Sequence, residues 1–192
     1  MQKRFAIATG AGVPVSAALL LALLHVRGDL ATAMMLPLFW FKAGFAAIMV
    51  CAGAAITAKL ARPGARLGAG PAAAGLAILA VWLVALVALA HAEPSQRLTL
   101  MLGHTWLVCP WLIAMLSAPL LAANLWAMRG LAPTRLRMAG FACGLSAGAL
   151  AALVYCLHCP EMAPPFIAIW YVLGIFVPAA IGALVGPRLL RW

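Results

Sequence analysis

Residues 71–92 read PAAAGLAILAVWLVALVALAHA, a run with no charged side chain. An α-helix crosses the roughly 30 Å hydrocarbon layer of a bilayer in about 20 such residues. Working outward, similar runs cover residues 5–26 and 38–58 before it, and 105–128, 138–157 and 166–185 after it. Apolar residues make up 67% of the chain and charged residues 8%, with mean hydropathy +1.12. Soluble domains carry about 45–50% and about 25% respectively. The sequence therefore predicts an all-α, polytopic membrane protein with six transmembrane helices, forming a single transmembrane domain over residues 1–192.

The first run has the positive start and the Ala31-Thr-Ala33 pattern of a secretory signal. Its apolar stretch exceeds the roughly 7–15 residues of a signal core, so it is read as a retained span. Six spans place both termini on one side. Ten basic residues, Lys3, Arg4, Lys59, Arg62, Arg66, Arg129, Arg135, Arg137, Arg188 and Arg191, fall on that side, which the positive-inside rule makes cytoplasmic. Every acidic residue and every histidine then falls at the opposite face, as do Arg27 and Arg97. The net charge of +10 is accounted for by topology, so direct nucleic-acid binding is not expected.

Spans two, four and six open with Trp40, Trp106 and Trp170 and reach Pro63, Pro133 and Pro187, each followed nearby by arginine and leucine. This weak repeat suggests three helical hairpins. Gly140, Gly144 and Gly148, spaced by four, give the fifth span one small face on which another helix can pack closely. Pro110, Pro119, Asn124 and Pro178 are expected to kink or rearrange their helices.

Chemistry concentrates in Tyr155-Cys156-Leu157-His158-Cys159-Pro160-Glu161. Cys109 approaches the same face at the start of the fourth span. Thiolate and imidazole donors suit copper(I) or zinc, so Cys109, Cys156, Cys159, His158 and His104 form a candidate metal set. The i, i+3 spacing of Cys156 and Cys159 places both sulfurs on one helix face. A Cys109–Cys159 disulfide is the competing chemistry. Cys51 and Cys143 read as small apolar residues. Lys42 is an ionisable residue inside a span, close enough to its end to snorkel to the interface.

No acidic residue lies within a span, so the carboxylate relays of many transporters are missing. No Walker sequence, H-E-x-x-H or serine-centred signature is present, and no enzymatic activity is expected. No cofactor is required.

Trp106-Leu107-Val108-Cys109-Pro110, Ala132-Pro133-Thr134-Arg135, Leu157-His158-Cys159-Pro160-Glu161, Trp170-Tyr171 and the ending from Gly186 to Trp192, together with Arg62-Pro63-Gly64, resemble the negative-regulator-of-sigma-F (NrsF) family. The resemblance covers nearly the whole chain. It implies a six-span inner-membrane anti-sigma factor that holds an extracytoplasmic-function sigma factor until periplasmic metal or oxidative stress is sensed. It also matches Cys109 and Cys159 to the family's paired outer cysteines; Cys156 and His158 belong only to the reading from the residues themselves. Family members usually carry some tens of residues before the first span, where four precede Phe5 here. The basic turns with Arg62, Arg66, Arg129, Arg135 and Arg137 then offer the surface for sigma factor or membrane lipid headgroups. A membrane copper- or zinc-handling or thiol-redox protein without a sigma partner is the alternative.

Overall fold

The computed structural model describes residues 2–62, 64–131 and 133–191. Met1, Pro63, Ala132 and Trp192, the last three of which fall in the sequence signatures above, lie outside it. The described residues are helical throughout, joined by turns and short loops: α1 (Gln2–Leu23), α2 (Leu30–Ala33), α3 (Pro37–Leu60), α4 (Gly70–His91), α5 (Pro94–Leu102), α6 (Cys109–Arg129), α7 (Leu136–Tyr155), α8 (Pro164–Phe166), a π-helical turn (Ile167–Tyr171) and α9 (Val172–Leu189). Among the described residues, five helical stretches are long and apolar enough to cross a membrane, the last running continuously over Pro164–Leu189. The apolar part of α1, Ile7–Leu23, is shorter. This is the helix content of a multi-pass membrane protein.

The helix starts differ from the expected ones for a single physical reason. Proline lacks an N–H, and the first turn of a helix has no partner for that N–H, so proline is tolerated there. Five helices, α3, α4, α5, α6 and α8, carry proline at their first or second position. Pro110 therefore opens α6 instead of kinking it, and residues 105–108, expected to be helical, are turns. Cys109 is consequently the first residue of α6, not a residue one turn inside it. Pro94 starts α5 in a segment read as a connection, and Pro164 starts the last span two residues before the expected 166. Pro187 lies inside α9, which runs on to Leu189, beyond the expected end at 185. At the other end of the scale α1 stops at Leu23, short of residue 26, where the chain turns through His25 at φ 63°.

α7 is the centre of the bundle, packing on α3, α6 and α9, with α1 laid against α6 and α4 against α3. Its contact with α9 is made by backbone. A Cβ added at Gly140 would strike the Gly182 carbonyl oxygen, one at Gly144 would strike that of Pro178, and one at Gly148 would lie 2.6 Å from that of Ile175. The expected small face thus packs, and it packs on α9. In lipid, where apolar side chains gain little by associating, such close approach is the main source of helix attraction.

α1 meets α6 through a stripe of small and polar residues. Ser16 Oγ donates to the Leu116 carbonyl at 2.7 Å, and Thr9 Oγ1 donates to Asn124 Oδ1 at 3.0 Å. The Asn124 amide donates in turn to Ser146 Oγ at 3.0 Å and to the Cys143 carbonyl at 3.3 Å on α7. Asn124 therefore joins three helices, which its reading as a source of helix distortion did not anticipate. α4 buries only one stripe, Gly70, Ala74, Ala77, Val81 and Ala85. Its other faces expose Leu76, Leu79, Leu83, Leu86 and Val87. A helix apolar all round with most of its surface uncovered is one suited to lipid.

Candidate functional site

The residues that carry chemistry gather at one end of the bundle, where α6 begins, α7 ends and α3 has completed its first turn. α7 ends at Tyr155, but the chain continues to turn: the backbone N–H groups of His158 and Cys159 both donate to the Tyr155 carbonyl at 3.0 Å. This folds Cys159 back beneath the helix end toward α6. Cys109, fixed by the proline-bearing first turn of α6, faces it, and the two thiols interact directly while remaining free. Both residues are 0% exposed.

Cys156 is buried nearby, but its sulfur hydrogen-bonds back to the Ala152 carbonyl at 3.3 Å. Because α7 ends at Tyr155, Cys156 and Cys159 do not share a regular helix face as their spacing predicted. Tyr155 and Tyr171 wall the thiols, their ring centroids 6.1 Å apart. The Tyr171 hydroxyl makes no hydrogen bond of good geometry and has the Cys156 and Cys159 sulfurs as its polar neighbours.

The loop carrying Cys159 is tied from three directions. From α3, Lys42 Nζ donates to the carbonyls of Cys159 and Glu161, both at 2.9 Å, and lies 5.3 Å from the Tyr171 ring centroid. Lys42 is 0% exposed, so it does not snorkel; it turns inward to the loop. From the connection after α1, Arg27 donates through Nη1 to the Cys159 carbonyl at 3.2 Å, and its backbone N–H donates to the Leu157 carbonyl at 3.1 Å. Arg27 is itself held by a bidentate pair with Asp29, both contacts 2.7 Å. That pair raises the guanidinium and lowers the Asp29 carboxyl, in each case first through the hydrogen bond between them. From the connection before α6, the His104 backbone N–H donates to Glu161 Oε1 at 2.7 Å. Gly103, at φ 57°, allows this approach: a Cβ there would lie 2.6 Å from Glu161 Oε2.

The electrostatics of the loop separate its two cysteines. The Cys159 thiol is held below its ordinary value, first by the hydrogen bond from Cys109 and then by the Lys42 charge, the Tyr171 hydroxyl and the Glu161 backbone, all of which favour the thiolate against burial. Burial pushes Cys156 up to about 11. Of the two loop cysteines, Cys159 is the one whose surroundings favour the thiolate.

The histidines of the candidate metal set stand apart from the thiols. His158 Nδ1 donates to the His25 carbonyl at 2.9 Å and its ring lies 5.6 Å from that of Tyr155. His104 is exposed and contributes its backbone N–H, as described. Among the described residues no three His, Cys, Asp or Glu side chains are grouped closely enough to hold a metal ion. Two facing thiols suit a soft ion such as copper(I); the four-donor tetrahedral set of a structural zinc is not assembled in this conformation.

Arg62, Arg66, Arg129, Arg135 and Arg137 are all exposed and lie at the other end of the same helices. α6 alone, with Cys109 first and Arg129 last, separates the two ends by about 30 Å. Sequence reasoning missed the inward turn of Lys42 and the roles of Arg27, Tyr155 and Tyr171. The available signal was a lysine inside a span whose helix offers no acidic partner.

The family model described as "Negative regulator of sigma F" (NrsF) matches residues 1–192. A probable anti-sigma-F factor NrsF of Azospira oryzae is 52% identical over 190 residues, covering 99% of this chain and 89% of that relative. The anti-sigma-F factor NrsF of Caulobacter vibrioides is 39% identical over 194 residues, with the same coverages of 99% and 89%. No solved structure matches the chain. A family match along the whole length, with two relatives of the same description, establishes that the chain belongs to the negative regulator of sigma F (NrsF) family.

Proposed function

We propose that this protein is an inner-membrane anti-sigma factor. It holds an extracytoplasmic-function sigma factor at the cytoplasmic face and releases it when the Cys109–Cys159 pair, facing the periplasm, is oxidised or captures a soft metal ion. The chain acts as one transmembrane unit of six spans in three hairpins, with both termini cytoplasmic. The carrying observation is the pairing of two free, buried thiols at the end of α6 opposite the exposed arginines, in a chain of a sigma-regulator family. The positive-inside rule supports the orientation, since the arginine-rich turns belong on the cytoplasmic side.

Oxidation joins the two sulfurs, passing their two protons and two electrons to an oxidant such as hydrogen peroxide, whose O–O bond breaks to give two waters. Metal capture uses the same sulfurs as thiolates. Either event fixes the distance between the start of α6 and the loop after α7. A protein with two helix arrangements of different affinity for its partner converts that change into release. The exposed arginines contact the sigma factor or anionic lipid headgroups.

The test is a reporter transcribed by the cognate sigma factor, with Cys109→Ser and Cys159→Ser variants accumulating normally. Both are expected to keep the reporter repressed under oxidant or metal stress, whereas the unsubstituted chain permits induction. Normal induction in both variants would refute the sensing role. If no sigma factor co-purifies with the full chain, the anti-sigma role fails as well and the thiol pair is left with a metal-handling or redox role of its own.

A further inference from the structure

Lys42 is a fully buried ammonium on α3, and its hydrogen-bond acceptors are the carbonyls of Cys159 and Glu161, both at 2.9 Å, with the Tyr171 ring beneath it. Among the described residues the only salt bridge is Arg27–Asp29, so no carboxylate compensates Lys42. Burying a charge in this way is costly, and an apolar side chain of similar length would fill the space more cheaply. What the lysine provides that an apolar residue does not is, besides the charge that favours the Cys159 thiolate, a hydrogen-bonded connection between α3 and the loop that carries Cys159.

The connection has a direction. α3 runs on from Lys42 to Lys59 and the turn bearing Arg62 and Arg66, about 25 Å further along its axis. The loop it grips is also the half of the thiol pair that has no helix of its own, since Cys109 is fixed in α6 while Cys159 lies beyond the end of α7. Any bond or ligand that draws Cys159 toward α6 therefore pulls on its carbonyl and, through that carbonyl, on α3.

We propose that Lys42 is the positioning residue that couples the Cys109–Cys159 pair to α3, transmitting movement of the Cys159 loop to the basic turn at the far end of that helix. This rests on the sensing role proposed above for the two thiols.

The test compares Lys42→Met, Lys42→Arg and the unsubstituted full chain in bacterial membranes. Methionine keeps the length and removes the charge; arginine keeps a cationic donor. Two readouts are taken: amide hydrogen exchange of the loop spanning residues 157–162, quantified by peptide mass spectrometry, which does not depend on the thiol ionisation that the Lys42 charge favours at Cys159, and reporter induction by the thiol oxidant diamide. Lys42→Met is expected to exchange at least tenfold faster in that loop, to keep basal repression, and to lose induction to below about twofold. Lys42→Arg is expected to stay near the unsubstituted chain in both. Exchange and induction unchanged in Lys42→Met overturn the proposal, as does faster exchange with normal induction, which would make Lys42 a clamp without a coupling role. If Lys42→Met fails to accumulate, Lys42→Gln is read by the same criteria. Failure of the sensing role itself shows separately, as normal induction in Cys109→Ser and Cys159→Ser; in that case the coupling proposal fails with it.

Discussion

Adding a single methyl group at Gly144 tests whether backbone contact between α7 and α9 holds the site in place. A Cβ there would strike the Pro178 carbonyl oxygen and lie 2.6 Å from the Ala179 Cα, where ordinary contact begins at 3.4 Å. Relief requires the two backbones to separate by at least 0.8 Å, the difference of those two distances. Both neighbours are backbone, so no side-chain rotation can absorb the methyl. Overpacking of this kind costs about 1–3 kcal/mol, which for a chain of this size lowers the melting temperature by several degrees. The control is Gly75→Ala on α4, where nothing lies within 4 Å of the added carbon. Thermal unfolding of both variants in the same detergent is the assay. Gly144→Ala is expected to melt well below the parent and Gly75→Ala at or slightly above it, since alanine favours helix over glycine. Equal melting temperatures would refute the close contact between α7 and α9.

Replacing Asn124 by leucine removes the donors to Ser146 and Cys143 and the acceptor for Thr9. Hydrogen bonds between membrane helices contribute about 0.6 kcal/mol on average and up to about 1.7 kcal/mol, so denaturation in micelles should show a loss of about that size per bond, and no loss would remove Asn124 as a joint between α1, α6 and α7. The two loop cysteines should also differ in their response to pH. Cys159 is held below its ordinary value, so its labelling by a neutral maleimide should persist to lower pH than that of an ordinary cysteine and fall only as pH drops through its lowered value. Cys156, pushed up to about 11, should stay a thiol and label slowly across the neutral range. Peptide mapping that found Cys156 labelled first at pH 7 would overturn this order.

The fold was legible where a pattern reports a single helix face. The spacing of Gly140, Gly144 and Gly148 marks a small surface whatever its partner, and the structure supplies α9 as that partner. Helix starts were less legible, because proline breaks a helix interior but suits a first turn, and its residue type alone does not say which of the two positions it occupies. Pro110 is the consequential case: placing it at the start of α6 puts Cys109 at the very end of that helix, level with the loop after α7. The approach of Cys109 to Cys159 crosses fifty positions of sequence and follows from how α6 and α7 pack, which no local spacing encodes. Donor chemistry and family likeness both pointed to those two cysteines; donor chemistry alone added Cys156, His158 and His104, whose hydrogen bonds in the structure run to Ala152, His25 and Glu161. Lys42 was visible as an anomaly, an ionisable residue in an apolar helix. Its length allows both an outward and an inward path, and only the position of the loop carbonyls decides between them.

The most direct test of the account uses the purified full-length complex with its sigma factor, oxidised stepwise with diamide while bound sigma factor and the Cys109–Cys159 disulfide are quantified in the same samples. Sigma release is expected to track disulfide formation, and Cys159→Ser to retain sigma factor at every oxidant concentration. Full disulfide formation with sigma factor still bound, or release from the Cys159→Ser complex, would contradict it.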